Sequence, residues 1–414
     1  MKRPAPLDIG PLACLLLVAL LVRAAAAVWW HTHSGEGFAF GDTASYWALG
    51  QALADGRPYV YGTAHIFRMP GYPLLLAGLM RLVGNHDDAL LWARALNVLL
   101  GVAAVAAVYA LARMLSNRRT AMIAAAVACF YPGAVAMSII LLSEALFGPL
   151  MLVHLGAWAA AFNSPATRRG VAWAAMAGGL GGAATLVRPE WLLFTPLALA
   201  ASMAFGPRRG RTATIAAPML VALVAVMSPW WIRNAQLTGH FVPTTLQVGA
   251  SLYDGLNPRA DGSSNMDFVG RQETELRSEM PAASPVELEY ALDVRLRRAA
   301  LSWAAEHPGR VLCLAGIKLV HMWNVWPNEP KFRRAWLGLA LLVGYGPVLL
   351  LAGYGWFRVR AWRTPLLLYW LPAFYLTGLH VVFVSSIRYR QPAMFGLIVL
   401  AAAGIDRWWS RDRV

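Results

Sequence analysis

Asp42 lies in Gly41-Asp42-Thr43-Ala44-Ser45-Tyr46, and Arg68 opens Arg68-Met69-Pro70-Gly71-Tyr72-Pro73, both between the first two long apolar runs. A carboxylate within hydrogen-bond reach can take the proton of an attacking hydroxyl. A guanidinium fork matches phosphate oxygens bidentately and stays charged. Other charges that stand out are Glu144 after Ser143, Arg188 and Glu190 on either side of Pro189, and Arg388 and Arg390 around Tyr389. Each borders an apolar segment, where a charge at mid-bilayer costs about 2.5–3.5 kcal/mol, so position carries information. Plain structural roles exist for all of them. Asp42 can cap a helix, Glu144 can be an N-terminal helix charge, Arg188 and Glu190 can form an ion pair, and Arg388 and Arg390 can snorkel to head groups. The outward histidines His31, His33, His65, His86 and His240 have no metal-binding spacing. Cys14, Cys129 and Cys313 are too scattered for a disulfide framework.

The elements that must hold these residues are set by composition. The 414-residue chain is 58% hydrophobic and 14% charged, with a mean hydropathy of +0.50, far from the balance of a soluble domain. Apolar stretches near the length of a bilayer crossing occur at 11–30, 89–111, 120–137, 143–162, 171–187, 191–206, 212–231, 335–357, 365–384 and 392–405. The expectation is an all-α polytopic integral membrane protein with about ten transmembrane helices, since helices satisfy their own backbone groups in lipid. The net charge of +15 does not point to nucleic acid, because the arginines fall in short clusters between spans. Arg113, Arg118 and Arg119, then Arg168 and Arg169, then Arg208, Arg209 and Arg211, then Arg358, Arg360 and Arg363, then Arg407, Arg411 and Arg413 mark every second loop. By the positive-inside rule those loops, and both termini, are cytoplasmic. All acidic residues except Asp8, Asp406 and Asp412 fall in or beside the opposite loops, which makes the outer face the working one. Lys2, Arg3 and the run Ala24 to Ala27 also fit a cleaved signal peptide, but the apolar core is long for one.

Three regions follow: an N-terminal transmembrane module over 1–232 whose first outer loop, 31–88, is catalytic; an outer helical loop with an interfacial segment over 233–334; and C-terminal transmembrane helices over 335–414. The first outer loop carries its own helical signals. Asp42 starts a helix that Asp55-Gly56 ends, with Tyr46, Leu49 and Leu53 on one face. Residues 70–84 are apolar yet short, and making them a span would invert the basic clusters, so they read as interfacial or re-entrant. In the second stretch, Ser284-Pro285-Val286-Glu287 is a capping box that predicts a helix over 285–306. His307-Pro308-Gly309 stops it, and 311–326 lies at or dips into the interface.

Read in order, Gly41-Asp42 with Tyr46, Arg68 to Pro73, Arg94 with Tyr109, the basic turn at Arg118, Ser143-Glu144 and Arg388-Tyr389-Arg390-Gln391-Pro392 resemble the GT-C superfamily of membrane glycosyltransferases. More narrowly, the chain is similar to the protein O-mannosyltransferase and aminoarabinose transferase branch, family 39-like. That resemblance implies an inverting transfer of a sugar from a polyprenyl-phosphate carrier to a lipid, glycan or protein hydroxyl on the outer face. Asp42 then takes the place of the essential loop acid, as general base or acceptor-positioning group, and Glu144 that of a second acid. Arg68 stands where relatives often have lysine at the lipid phosphate. The substrate-binding set is Arg68, Tyr46, Tyr72, Arg188, Arg388, Tyr389 and Arg390. Many relatives carry Asp-Glu where this chain has Asp42-Thr43, which weakens the case for a divalent metal; the expectation is a reaction without a cofactor. The Ala- and Arg-rich composition fits a GC-rich bacterial genome and hence the inner membrane, with the site facing the periplasm. The rival reading is a transporter or flippase of a lipid-linked substrate, but span middles nearly free of charge and long loops on one side speak against it.

Overall fold

The computed structural model describes residues 9–33, 38, 40–84, 86–164, 168–206, 208–325, 335–359 and 366–411. Its helices are α1 (Ile9–His33), α2 (Gly41–Ala54), α3 (Gly71–Val83), α4 (His86–Leu115), α5 (Arg118–Phe130), α6 (Pro132–Ile139), α7 (Glu144–Asn163), α8 (Arg168–Val187) and α9 (Phe194–Phe205). They continue with α10 (Arg209–Thr238), α11 (Val248–Gly255), α12 (Phe268–Glu279), α13 (Pro285–Glu306), α14 (Pro308–Trp323), α15 (Ala335–Val359), α16 (Leu371–Val382) and α17 (Gln391–Arg411). The chain is an all-helical, multi-pass membrane protein; among the described residues the extended pairing is a single bridge between Tyr61 and Ala64. The basic positions Arg360, Arg363 and Arg413, and the expected ends of the second outer loop at 326–334, lie outside the described residues.

Six helices are long and apolar enough to cross a bilayer, α1, α4, α7, α8, α10 and α15, or seven spans if α5 and α6 count as one. The stretch 120–137, read as one continuous span, is broken: α5 and α6 meet at a 56° bend. The cause is Pro132 at the start of α6, which holds the preceding Tyr131 in an extended conformation (φ −60°, ψ 117°). The carbonyls freed at the end of α5 find a donor in Arg23 of α1, which is fully buried. Its guanidinium donates to Ala128 O at 3.1 Å, Cys129 O at 3.0 Å and, across the bend, Ser138 Oγ at 3.2 Å. Gly101 of α4 leaves the room: a Cβ there would come within 2.1 Å of Ser138 Oγ. Of the other expected spans, 191–206 and 365–384 are the shorter helices α9 and α16, of 12 residues each, and 392–405 lies within the 21-residue α17.

Helix α3 is the short helix expected over 70–84, closed by Gly84 in a left-handed conformation (φ 70°). Residues of the stretch 233–306 fix the loop that precedes α3. Glu289 of α13 accepts the backbone N–H groups of His65 (2.7 Å) and Ile66 (3.1 Å), Leu246 N donates to Ile66 O, and Arg233 donates to His65 O at 3.1 Å. Tyr59 closes the turn by donating to the carbonyls of Arg68 and Met69. The capping box at Ser284 and Glu287 forms as its sequence predicts. Helix α14, 16 residues long, is anchored by a fully buried lysine, Lys318, whose ammonium donates to Gly255 O (2.9 Å) and Val382 O (2.8 Å). Burial lowers the Lys318 pKa to about 8, against the pull of Asp254.

Candidate functional site

Five segments bring three arginines and three acids into one alternating chain. Helix α2 carries Asp42, the turn before α3 carries Arg68, Glu144 begins α7, Arg188 and Glu190 follow α8, and Arg388 lies between α16 and α17. Asp42 Oδ1 pairs with Arg68 at 2.6 Å and its Oδ2 with Arg388 at 2.7 Å. Arg388 Nε lies 2.6 Å from Glu144 Oε1, which also touches Arg188 at 2.8 Å. Arg188 then grips both oxygens of Glu190, at 2.7 and 2.9 Å. The contacts at Glu144 Oε1 lie off the N–H axes, so they are Coulombic rather than directional hydrogen bonds. Ser45 accepts from Arg68 Nε at 3.0 Å, and Ser143 accepts from Tyr46 and Arg188, at 3.1 and 3.3 Å.

The chain grades from open to buried. The Asp42 side chain is 28% exposed and that of Glu144 only 1%. Burial acts to raise the Asp42 pKa, but Arg68 and then Arg388 outweigh it and hold this carboxyl well below the ordinary range. Burial likewise works against the Arg188 and Arg388 charges; Glu144, together with Glu190 at Arg188 and with Tyr389 and Asp42 at Arg388, more than offsets it, so both pKa values rise. Accessible anion, flanking cations and a buried counter-charge beneath make a surface that can accept a phosphate on its arginines and a hydroxyl proton on its carboxylate.

Asp42 does not cap α2, contrary to the plain reading of its position: Phe40 is the N-cap and makes no side-chain cap bond, while the Asp42 carboxylate is drawn sideways to the arginines. Tyr46 stands edge-on to Tyr72 at 5.4 Å, and Tyr72, fully buried, donates to Asn97. Tyr389 lies under the Arg388 and Arg188 guanidiniums, 5.3 and 5.9 Å from its ring centre. Arg390 is not brought to this cluster. It is fully buried on the other side of its turn, donates to the carbonyls of Met322 and Asn324 at the end of α14, and stacks over Tyr345. Sequence reading gave Ser45 and Ser143 no role of their own, although both stand in the motifs it singled out, and it missed His380. His380 stacks on Tyr389 at 4.2 Å with its Nε2 3.8 Å from Glu190; a histidine inside an apolar stretch was the available signal.

The residues beside Asp42 differ from a paired-carboxylate arrangement. Thr43, in the place of the second acid, is buried, both Asp42 oxygens are taken by arginines, and no three His, Cys, Asp or Glu side chains converge among the described residues.

The family model for dolichyl-phosphate-mannose-protein mannosyltransferases matches residues 68–232. No curated protein matches the chain. Among solved structures, the archaeal oligosaccharyltransferase AglB from Archaeoglobus fulgidus, in complex with an inhibitory peptide and a dolichol-phosphate, is similar at a TM-score of 0.63 and 14% identity, over 97% of this chain and 50% of that one. The same organism's oligosaccharyltransferase tethered with an acceptor peptide containing the NVT sequon gives 0.61 at 12% identity, over 98% and 50%. ArnT from Cupriavidus metallidurans bound to undecaprenyl phosphate gives 0.48 at 15% identity, over 97% and 79%. The chain therefore spans about half the length of the archaeal structures it matches. The resemblance read from the sequence holds: the fold is that of the GT-C membrane glycosyltransferases, and the matched segment contains Arg68, Glu144 and Arg188.

Proposed function

We propose that this protein is an inverting glycosyltransferase that moves a sugar from a polyprenyl-phosphate carrier to an acceptor hydroxyl at the outer face of the inner membrane, with both termini cytoplasmic. The observation that carries this reading is the accessible Asp42 carboxylate held between Arg68 and Arg388. The acceptor oxygen attacks the anomeric carbon, the bond from that carbon to the phosphate oxygen breaks, and the acceptor proton passes to Asp42. The polyprenyl phosphate leaves with one more negative charge, which Arg68 and Arg388 face. In the unliganded site Asp42 is a weak base because both arginines stabilise its anion. A phosphate competes for those guanidiniums, so donor binding returns basicity to Asp42 when the hydroxyl must be deprotonated. Arginines supply the leaving-group charge stabilisation, so we propose a metal-independent reaction. Glu144, closed off from substrate, acts as a positioning residue for Arg388 and Arg188. A relative in fold, AglB, is described with a dolichol-phosphate, which supports a lipid-phosphate donor.

The test is transfer of label from a panel of polyprenyl-phosphate sugars to envelope extract by protein in nanodiscs, with and without a chelator. Transfer by wild type that survives chelation and is lost in Asp42→Asn is the expected result. Donor binding without transfer, equal in wild type and Asp42→Asn, would overturn the reading in favour of a flippase.

A further inference from the structure

The second outer stretch contains a cleft of about 600 Å³ that the transfer chemistry does not use, within the ~300–1,000 Å³ range of small-ligand sites. Tyr253 and Phe268 stand edge to face in it, ring centres 4.9 Å apart. Its polar lining carries Asp254, Asp261 and Asp267 against Arg259 and Arg271, so the carboxylates outnumber the guanidiniums. That balance disfavours a phosphate or an acidic segment. A peptide strand would need free main-chain groups along the wall. Here the side chains of Asn257, Asp261 and Asn265 already accept the N–H groups of Arg259 (2.7 Å), Ser263 (2.8 Å) and Asp267 (2.9 Å). Asp254 accepts from Ser264 and Asn265, which leaves the side chains of Asp261, Asp267, Arg259 and Arg271 beside the aromatic rings, a set of acceptors and donors that suits a ligand with a C–H face and many neutral hydroxyls.

The cleft is coupled to the arginine chain. Gly262, on its lining loop and in a left-handed conformation (φ 92°), accepts from Ser385 N at 3.4 Å. Lys318 ties Gly255 to Val382. The segment touched by both leads directly into Arg388.

We propose that this cleft binds a neutral saccharide, the acceptor of the transfer, and holds its glycan beside the Arg388 end of the site. The acceptor role rests on the transferase reading; the saccharide site itself does not. The test is saturation-transfer difference NMR on the full chain in nanodiscs, without donor, using mannose, glucose, galactose, N-acetylglucosamine and a Ser/Thr peptide as separate probes. At least one sugar should give signal in wild type. That signal should weaken about tenfold in Phe268→Ala, the size of one lost ring contact, and fall also in Asp261→Asn, while both variants keep the wild-type unfolding midpoint. No signal from any sugar, signal unchanged in both variants, or signal from a Ser/Thr peptide in place of sugars would overturn the proposal. If a sugar binds as expected but labelled donor is never transferred, the cleft stands and the transferase reading fails.

Discussion

Replacing Glu144 by glutamine removes one charge from an alternating chain that otherwise holds three acids against three arginines. The side chain is 1% exposed and lies 2.6 and 2.8 Å from two guanidiniums, so the amide fills the same volume but leaves Arg188 and Arg388 short of a counter-charge. Each such contact is worth about 4 kcal/mol gross at an effective dielectric near 20. Desolvation of the ions offsets much of this, and breaking a buried pair by removing one partner costs about 3–5 kcal/mol. The unfolding equilibrium should therefore shift by about a hundredfold or more. Unfolding by SDS in mixed micelles, followed by tryptophan fluorescence, reads it directly. On the proposed positioning role of Glu144, Glu144→Asp should recover part of the stability, and in Glu144→Gln the apparent donor affinity should fall alongside the rate. Wild-type stability in Glu144→Gln, with transfer nonetheless lost, would refute the reasoning and place Glu144 in contact with substrate.

The remaining expectations concern other parts of the site. Because the folded pKa of Asp42 is depressed, its charge persists as pH falls through the ordinary carboxylate range and is lost only in stronger acid. The kcat/KM profile should thus show no acid limb from Asp42 there in wild type, and Arg68→Ala should bring one up toward that range; a wild-type limb just below neutrality that moves with Arg68→Ala would contradict this. Arg390→Ala should lower the unfolding midpoint while leaving donor KM unchanged, since Arg390 serves the end of α14; a raised KM with unaltered stability would return it to the substrate-binding set. Gly101→Ala should destabilise by about 1–3 kcal/mol through overpacking against Ser138, and an unchanged midpoint would show that this crossing has slack.

Hydropathy made the long helices legible, and the capping box at Ser284 placed α13, because both signals are local. Asp42, Arg68, Glu144, Arg188, Tyr389 and Arg388 were also legible as polar residues at the borders of apolar runs, and the structure gathers them. The fate of Arg390 was not. Two residues from Arg388, it lies in a turn with no period to fix side-chain direction, and the carbonyls it meets belong to α14. The bend at Tyr131 was hidden by uniformly apolar flanks, although Pro132 announced it. His380 and Ser143 find their partners through packing between helices distant in sequence, so their positions could be noticed in the sequence but not the contacts they make.

Arg23 also bears on how the chain is made. It lies well inside the first membrane-length helix, yet its partners, the last carbonyls of α5 and Ser138, are synthesised more than a hundred residues later. During that interval α1 holds a charge in lipid at a cost of about 2.5–3.5 kcal/mol, offset only by neighbouring apolar residues. Its insertion becomes fully stable when the bent segment enters beside it. The order of emergence from the ribosome therefore matters: the first helix waits in the membrane for the fold to arrive.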